Sequence, residues 1–286
     1  MALPFIPSDA GLLVLQAGVV AAPRALPSLP LLRRVRGPAW ALVPIGSIVV
    51  VLFAIRFLSD TATGLTYLAV VAVPPLAAVA LAWAARPATP VSRSRMLLAV
   101  AVTAGLFALA WAGRRSLAGD AAAALLSALS CVTLGALLGA VAPGGWLKLG
   151  IIAMAVADTW LVVADLLQSP NAALIAAHPG GGLPRLQTEI FGSVTMGYGD
   201  LFAAALLGAV LATNHRRQLA AAVLTLGLAA LFDLLFLAVN ELPATVPVAL
   251  ALIVIEAWDR LRRPRPGPSA ARLRSPPAAG TPQRAR

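Results

Sequence analysis

The sequence predicts an all-α fold, a polytopic bundle of transmembrane helices, and three observations carry that reading. Hydrophobic residues make up 60% of the 286-residue chain and charged residues only 12%, and the mean hydropathy of +0.88 lies far outside the usual soluble range. Apolar runs of span length recur along the chain, separated by short basic or Pro-containing loops. They lack the strand-like alternation of a membrane barrel, so helices are left as the way to satisfy the backbone in hydrocarbon.

In chain order, residues 1–38 are punctuated by proline and end in a basic cluster, Arg33, Arg34 and Arg36. Their apolar stretch, GLLVLQAGVVAA at Gly11 to Ala22, is shorter than the roughly 20 residues a spanning helix needs. It reads either as an interfacial segment or as a short, tilted first helix; without a basic region ahead of it or a small-residue cleavage site it does not read as a removable signal. Eight spans follow, near 39–58, 62–85, 96–113, 120–142, 147–167, 189–213, 218–240 and 243–258. Pro74-Pro75 should kink the second. The chain thus divides into an N-terminal segment (1–38), a four-helix scaffold (39–142), a second membrane region (143–258) and a basic tail (259–286). From Arg263 the tail has no periodic apolar pattern and reads as disordered.

The net charge of +11 raises the question of nucleic acid. The arginines, however, fall between apolar spans and in the tail, without a recognition domain or interleaved aromatics, so they are better explained by topology and the lipid bilayer than by nucleic acid. Of 22 Lys and Arg, only Arg56, Arg114, Arg115 and Arg185 fall on one side of the eight spans. By the positive-inside rule the other side is cytoplasmic, which makes this a multi-pass cell-membrane protein with its C-terminus inside. If Gly11 to Ala22 also spans, the N-terminus lies outside and the count becomes nine. Cys131 is the lone cysteine, and His178 and His215 are the two histidines. There is no HExxH helix, no CxxC pair and no GxSxG, so zinc-dependent and serine-type proteolysis lack their usual residues.

The acids inside these spans carry the functional reading. Asp200 lies in FGSVTMGYGDLFAA, within the sixth span, where a carboxylate costs roughly 2.5–3.5 kcal/mol on insertion scales and so points to function. Asp158 lies one span earlier, in LGIIAMAVADTWLVVADLL. An external loop, Gln168 to Thr188, joins the two spans, and each aspartate should sit roughly 15–17 Å below it at 1.5 Å per residue, allowing the carboxylates to meet near mid-membrane. Two such groups cannot both ionise cheaply and share a proton. One can then take a proton from an attacking water while its protonated partner polarises a scissile carbonyl. Gly197 and Gly199 remove bulk beside Asp200 and admit another backbone. Pro243, Ala244 and Thr245 open the last span, where proline leaves carbonyls without helical partners, either to bind an extended peptide or to meet water.

In these residues the sequence resembles the GxGD aspartyl intramembrane proteases of the presenilin and signal peptide peptidase group. That family has nine helices, with one aspartate in the sixth, a GxGD aspartate in the seventh and Pro-Ala-Leu at the ninth. Asp158 in ADTWLVV, Asp200 in MGYGD and Pro243-Ala244-Thr245 match in order and spacing, over roughly residues 145–258. The resemblance implies hydrolysis of transmembrane or signal-peptide-like helices by Asp158 and Asp200, with Gly197, Tyr198, Gly199, Pro243, Ala244 and Thr245 holding the substrate strand. It implies no bound cofactor, since water is the nucleophile. Ala157 stands where the family has tyrosine, and Thr245 where it has leucine.

Two other readings stay open at this point. A prepilin-peptidase-like enzyme often reads Gly-Met-Gly-Tyr-Gly-Asp, close to the MGYGD here, but Thr195 replaces its leading glycine and no lysine follows Asp200. A proton-coupled transporter also keeps carboxylates in its spans but should show corresponding broken helices in both halves; the first four spans hold no mid-span acid. Among the remaining residues, Asp165 reads as a solvated boundary residue and Asp233 as a packed hydrogen-bonding partner or a third acid. Lys148 and Glu256 read as interfacial, and Trp160 as packing, lipid contact or a cavity wall. Oligomeric state is not legible.

Overall fold

The computed structural model describes residues 7–25, 59–84, 93–114, 116–166, 168–192, 194–237 and 242–262, together with positions 46, 49, 50 and 53. Nine helices and one hairpin make up the described chain. They are α1 (Pro7–Ala21), α2 (Ser59–Ala84), α3 (Arg93–Ala112), α4 (Leu117–Val141), α5 (Gly144–Val163), α6 (Gln168–Ala176), β1 (Thr188–Phe191), β2 (Val194–Gly197), α7 (Tyr198–Leu211), α8 (His215–Asp233) and α9 (Thr245–Arg262). Short 3-10 turns at Gly180–Gly182 and Leu234–Leu237 complete it.

Four of these helices are long and apolar enough to cross a membrane: Thr61–Ala82 within α2, then α3, α4 and α5. They coincide with the second to fifth expected spans, and α2 runs through Pro74-Pro75 as one helix. The count of eight spans is not supported. Most of the first, 39–58, lies outside the described residues, as do Arg33 to Arg36 and the tail beyond Arg262. The sixth, 189–213, is not one helix: its first half is an antiparallel hairpin pairing Thr188 with Gly197 and Phe191 with Val194. Its second half is the 14-residue α7, about 21 Å long at 1.5 Å per residue and short of a full span. The turn is made by Gly192 at φ 62°, a left-handed conformation that glycine adopts without steric cost. The last two helices carry charge that the apolar runs obscure, Arg216 and Arg217 at the start of α8 and Glu256, Asp259, Arg260 and Arg262 in α9.

The short α7 is the axis of the fold. Leu201, Leu206 and Leu207 and the alanines from Ala203 to Ala205 are fully buried, because α7 is packed by α1, α4, α5, α8 and α9. Glycines set the closest of these approaches. A Cβ on Gly135 of α4 would stand 2.7 Å from the Ala205 carbonyl carbon, and one on Gly139 3.0 Å from the Ala209 Cβ; on the opposite side Gly208 leaves room for the Val20 carbonyl and Pro23. Small residues four apart let helix backbones close to this range.

The ambiguous N-terminal stretch proves to be α1, a helix of 15 residues inside the bundle rather than at its interface. It runs alongside α7 in the same direction. Ser8 and Gly11 lie by Gly192 and Phe191 of the hairpin, and Val20 lies by Gly208. One face, Asp9, Leu12, Leu13, Gln16, Val19 and Val20, is buried. The buried Gln218 of α8 donates to the carbonyls of Val20 (3.1 Å) and Pro23 (2.7 Å), which otherwise have no helical partner at a C-terminus.

Candidate active site

Three elements meet at the two aspartates. Asp158 stands on α5, five residues before Val163 ends the helix, about 7–8 Å along the axis. Asp200 is the third residue of α7. Both therefore lie towards the loop ends of their helices, nearer than the expected 15–17 Å, because α5 stops at Val163 and the hairpin replaces the first turns of the sixth span. The carboxylates are close enough to interact electrostatically, across the packed α5–α7 interface.

Each is held by the backbone or side chain of a motif residue. The Gly197 amide donates to Asp200 Oδ2 at 3.0 Å, so the carboxylate caps the helix it begins, at an end where unpaired N–H groups favour negative charge. A Cβ at Gly197 would lie 3.1 Å from that same oxygen, whereas a Cβ at Gly199 would meet nothing within 4 Å. The two glycines thus do different things: Gly197 lets the carboxylate fold back, and exposed Gly199 keeps the approach open.

Thr245 reaches Asp158. Its hydroxyl donates to Asp158 Oδ2 at 2.7 Å. Thr245 is buried and begins α9, while Pro243 and Ala244 before it are half-buried. Pro247 has no N–H, so the Pro243 carbonyl takes a 3.2 Å bond from Val246 instead. The Ala244 carbonyl accepts from Gln16 Nε2 at 2.9 Å. Tyr198 is oriented differently from a strand-binding residue. Its hydroxyl lies 2.7 Å from Ser130 Oγ on α4, and the Cys131 thiol donates to its carbonyl at 3.8 Å; the ring locks α7 to α4.

Both aspartates are half-buried, and Gly199, next to Asp200, is exposed. Neither a family model, nor a curated protein, nor a solved structure matches the chain. What can be said of the site therefore rests on its own geometry.

The remaining acids fall elsewhere. Asp165 is exposed past the end of α5 at φ 54°, in the left-handed conformation that often closes a helix. Asp233, 4% exposed, faces Asp9 of α1, 6% exposed. Lys148 and Glu256 form a 2.6 Å ion pair joining α5 to α9, and Arg217 pairs with Asp259 at 2.8 Å between α8 and α9. Trp160 is 69% exposed and points away from the interior. Gln16, Gln218 and Ser130 had no place in the sequence reading. Gln16 had one available signal, as the only polar side chain in GLLVLQAGVVAA.

Proposed function

We propose that the chain is a multi-pass intramembrane aspartyl protease of the GxGD kind, hydrolysing peptide bonds in transmembrane or signal-peptide-like helices. The observation that carries this reading is the convergence of Asp158, Asp200 and Thr245 from α5, α7 and α9, residues 87 apart for the hydrogen-bonded pair. Nothing about local folding requires them to meet. In the reaction, one carboxylate takes a proton from water as its oxygen attacks the carbonyl carbon, and the protonated partner donates to the carbonyl oxygen. The tetrahedral intermediate then collapses with cleavage of C–N, and the amine leaves with a proton returned by the dyad.

A helical substrate must unwind first, since its carbonyls are shielded and already bonded. The open space at exposed Gly199, beside Asp200, gives an extended segment a place to approach. With the basic side cytoplasmic, the loop joining α5 to the hairpin is external and the dyad sits towards the outer face. That placement disfavours the prepilin-type reading, whose substrates are reached from the cytosol. On this reading the N-terminus of α1 lies towards the outside, as does the start of α7 beside it.

The test is cleavage of a fluorogenic transmembrane peptide by purified protein in detergent, compared with Asp158→Asn and Asp200→Asn. Asparagine keeps side-chain shape and the cap on α7 while removing acid–base capacity. Loss of cleavage in both, with unchanged thermal unfolding, is expected; a variant that cleaves like wild type overturns the dyad.

A further inference from the structure

We propose that Gln16 of α1 is a positioning residue for the candidate site, acting through Ala244 and Thr245 on Asp158; the inference rests on the protease reading above. Gln16 is 1% exposed, and its amide donates at 2.9 Å to the carbonyl of Ala244, 228 residues away. The next residue, Thr245, carries the hydroxyl that holds Asp158. The path from α1 to the carboxylate is thus one side chain, one peptide unit and one side chain.

Two features make this contact more than packing. First, the start of α9 lacks part of its own helical support, because Pro247 cannot donate to the Pro243 carbonyl and Val246 does so at 3.2 Å. An external donor at Ala244 fixes backbone that the helix itself leaves under-determined. The opposite half of α9 is anchored separately, by Lys148–Glu256 and Arg217–Asp259, so at the site end Gln16 shares the hold on this segment with the Thr245–Asp158 bond itself. Second, α1 is a fixed support. Gln218 grips its C-terminal carbonyls, and Gly208 allows α7 to lie directly against it. A register shift of α1 would move Gln16 relative to both α7 and α9, and therefore relative to both aspartates. Residues that hold a reacting group in place act on the rate more than on binding.

The experiment uses the full-length protein with Gln16→Met, which keeps length and loses the donor. Cleavage is followed as kcat and KM. In parallel, in a Cys131→Ala background, Thr245→Cys is labelled with a membrane-permeant maleimide, with and without Gln16→Met. A fall of about tenfold in kcat with KM within about twofold, together with labelling at least about fivefold faster, is expected. Either readout unchanged from its parent overturns the proposal, since the effect must pass through the Thr245 segment to reach the dyad. Should Gln16→Met fail to fold, Gln16→Asn, whose amide is drawn back by one methylene, is read by the same two measurements and the same criteria. A wild type that cleaves nothing defeats the protease reading on its own, and labelling then decides whether Gln16 holds the Thr245 segment.

Discussion

The Thr245 hydroxyl donates to Asp158 Oδ2 at 2.7 Å, joining the start of α9 to α5 across 87 residues. The hydroxyl is a polar hold on one of the two aspartates that an apolar side chain at this place could not supply. Hydrogen bonds to charged groups contribute about 1.5–3 kcal/mol, which corresponds to roughly 10- to 150-fold if fully expressed in the rate. Thr245→Ala is expected to lower kcat within that range, and Thr245→Ser, which keeps the hydroxyl, to retain most activity. Steady-state cleavage by the two variants checks this; equal activity in Thr245→Ala and wild type would remove the hydroxyl from the mechanism.

The two glycines of MGYGD separate experimentally. At Gly197 a methyl group would press to 3.1 Å on the carboxylate oxygen that closes onto the same residue's amide, so Gly197→Ala is expected to displace Asp200 and reduce kcat by an order of magnitude or more. At Gly199 there is open space, so Gly199→Ala should leave thermal unfolding unchanged and raise KM by narrowing the approach. Finding the two effects reversed would mean that the substrate passes Gly197 instead.

Much of the scaffold was legible because α2 to α5 are long apolar runs bounded by basic or Pro-containing loops, and their ends fall within a few residues of expectation. The sixth span was not, because the hairpin TEIFGSVTMG runs directly into the strongly apolar α7, and a window across both still reads as one apolar run. The local signal was present in the β-branched Ile190, Val194 and Thr195 around Gly192-Ser193, a two-residue hairpin turn pattern. Asp158 and Asp200 were legible as costly acids, and the structure brings them together. Their depth was misjudged, since it depended on two helices being continuous. Thr245 was read as one of the residues holding a substrate strand and as a departure from a motif, whereas its contact with Asp158 spans 87 residues, beyond the reach of any local pattern.

The glycine faces around α7 make a stability prediction independent of any chemistry. Gly135→Val would place a branched side chain where even a Cβ lies 2.7 Å from the Ala205 backbone. Overpacking of this kind costs about 1–3 kcal/mol, and here it must separate α4 from the helix that carries Asp200. The expected result is a lower unfolding midpoint in detergent for Gly135→Val, and likewise for Gly208→Val, where Val20 and Pro23 abut. Gly227→Val, at a position where an added Cβ meets nothing within 4 Å, serves as the control that should unfold like wild type.

Asp233 gives the sharpest contrast with the dyad. It is as deeply buried as any acid in the described chain, yet it meets Asp9 on α1 rather than Asp158 or Asp200, and the Oδ2 atoms of both Asp9 and Asp233 lack a hydrogen-bond partner. Two carboxyl groups in such contact repel one another when charged, and an asparagine at 233 removes that repulsion while offering Asp9 an amide donor. Asp233→Asn is therefore expected to unfold at or slightly above the wild-type temperature and to cleave within about twofold of wild type. Asp200→Asn, a substitution of the same type on the neighbouring helix, should abolish cleavage. Measured side by side, the pair assigns the chemistry: loss of cleavage in Asp233→Asn with folding intact would make Asp233 a third acid of the mechanism and its contact with α1 part of the site.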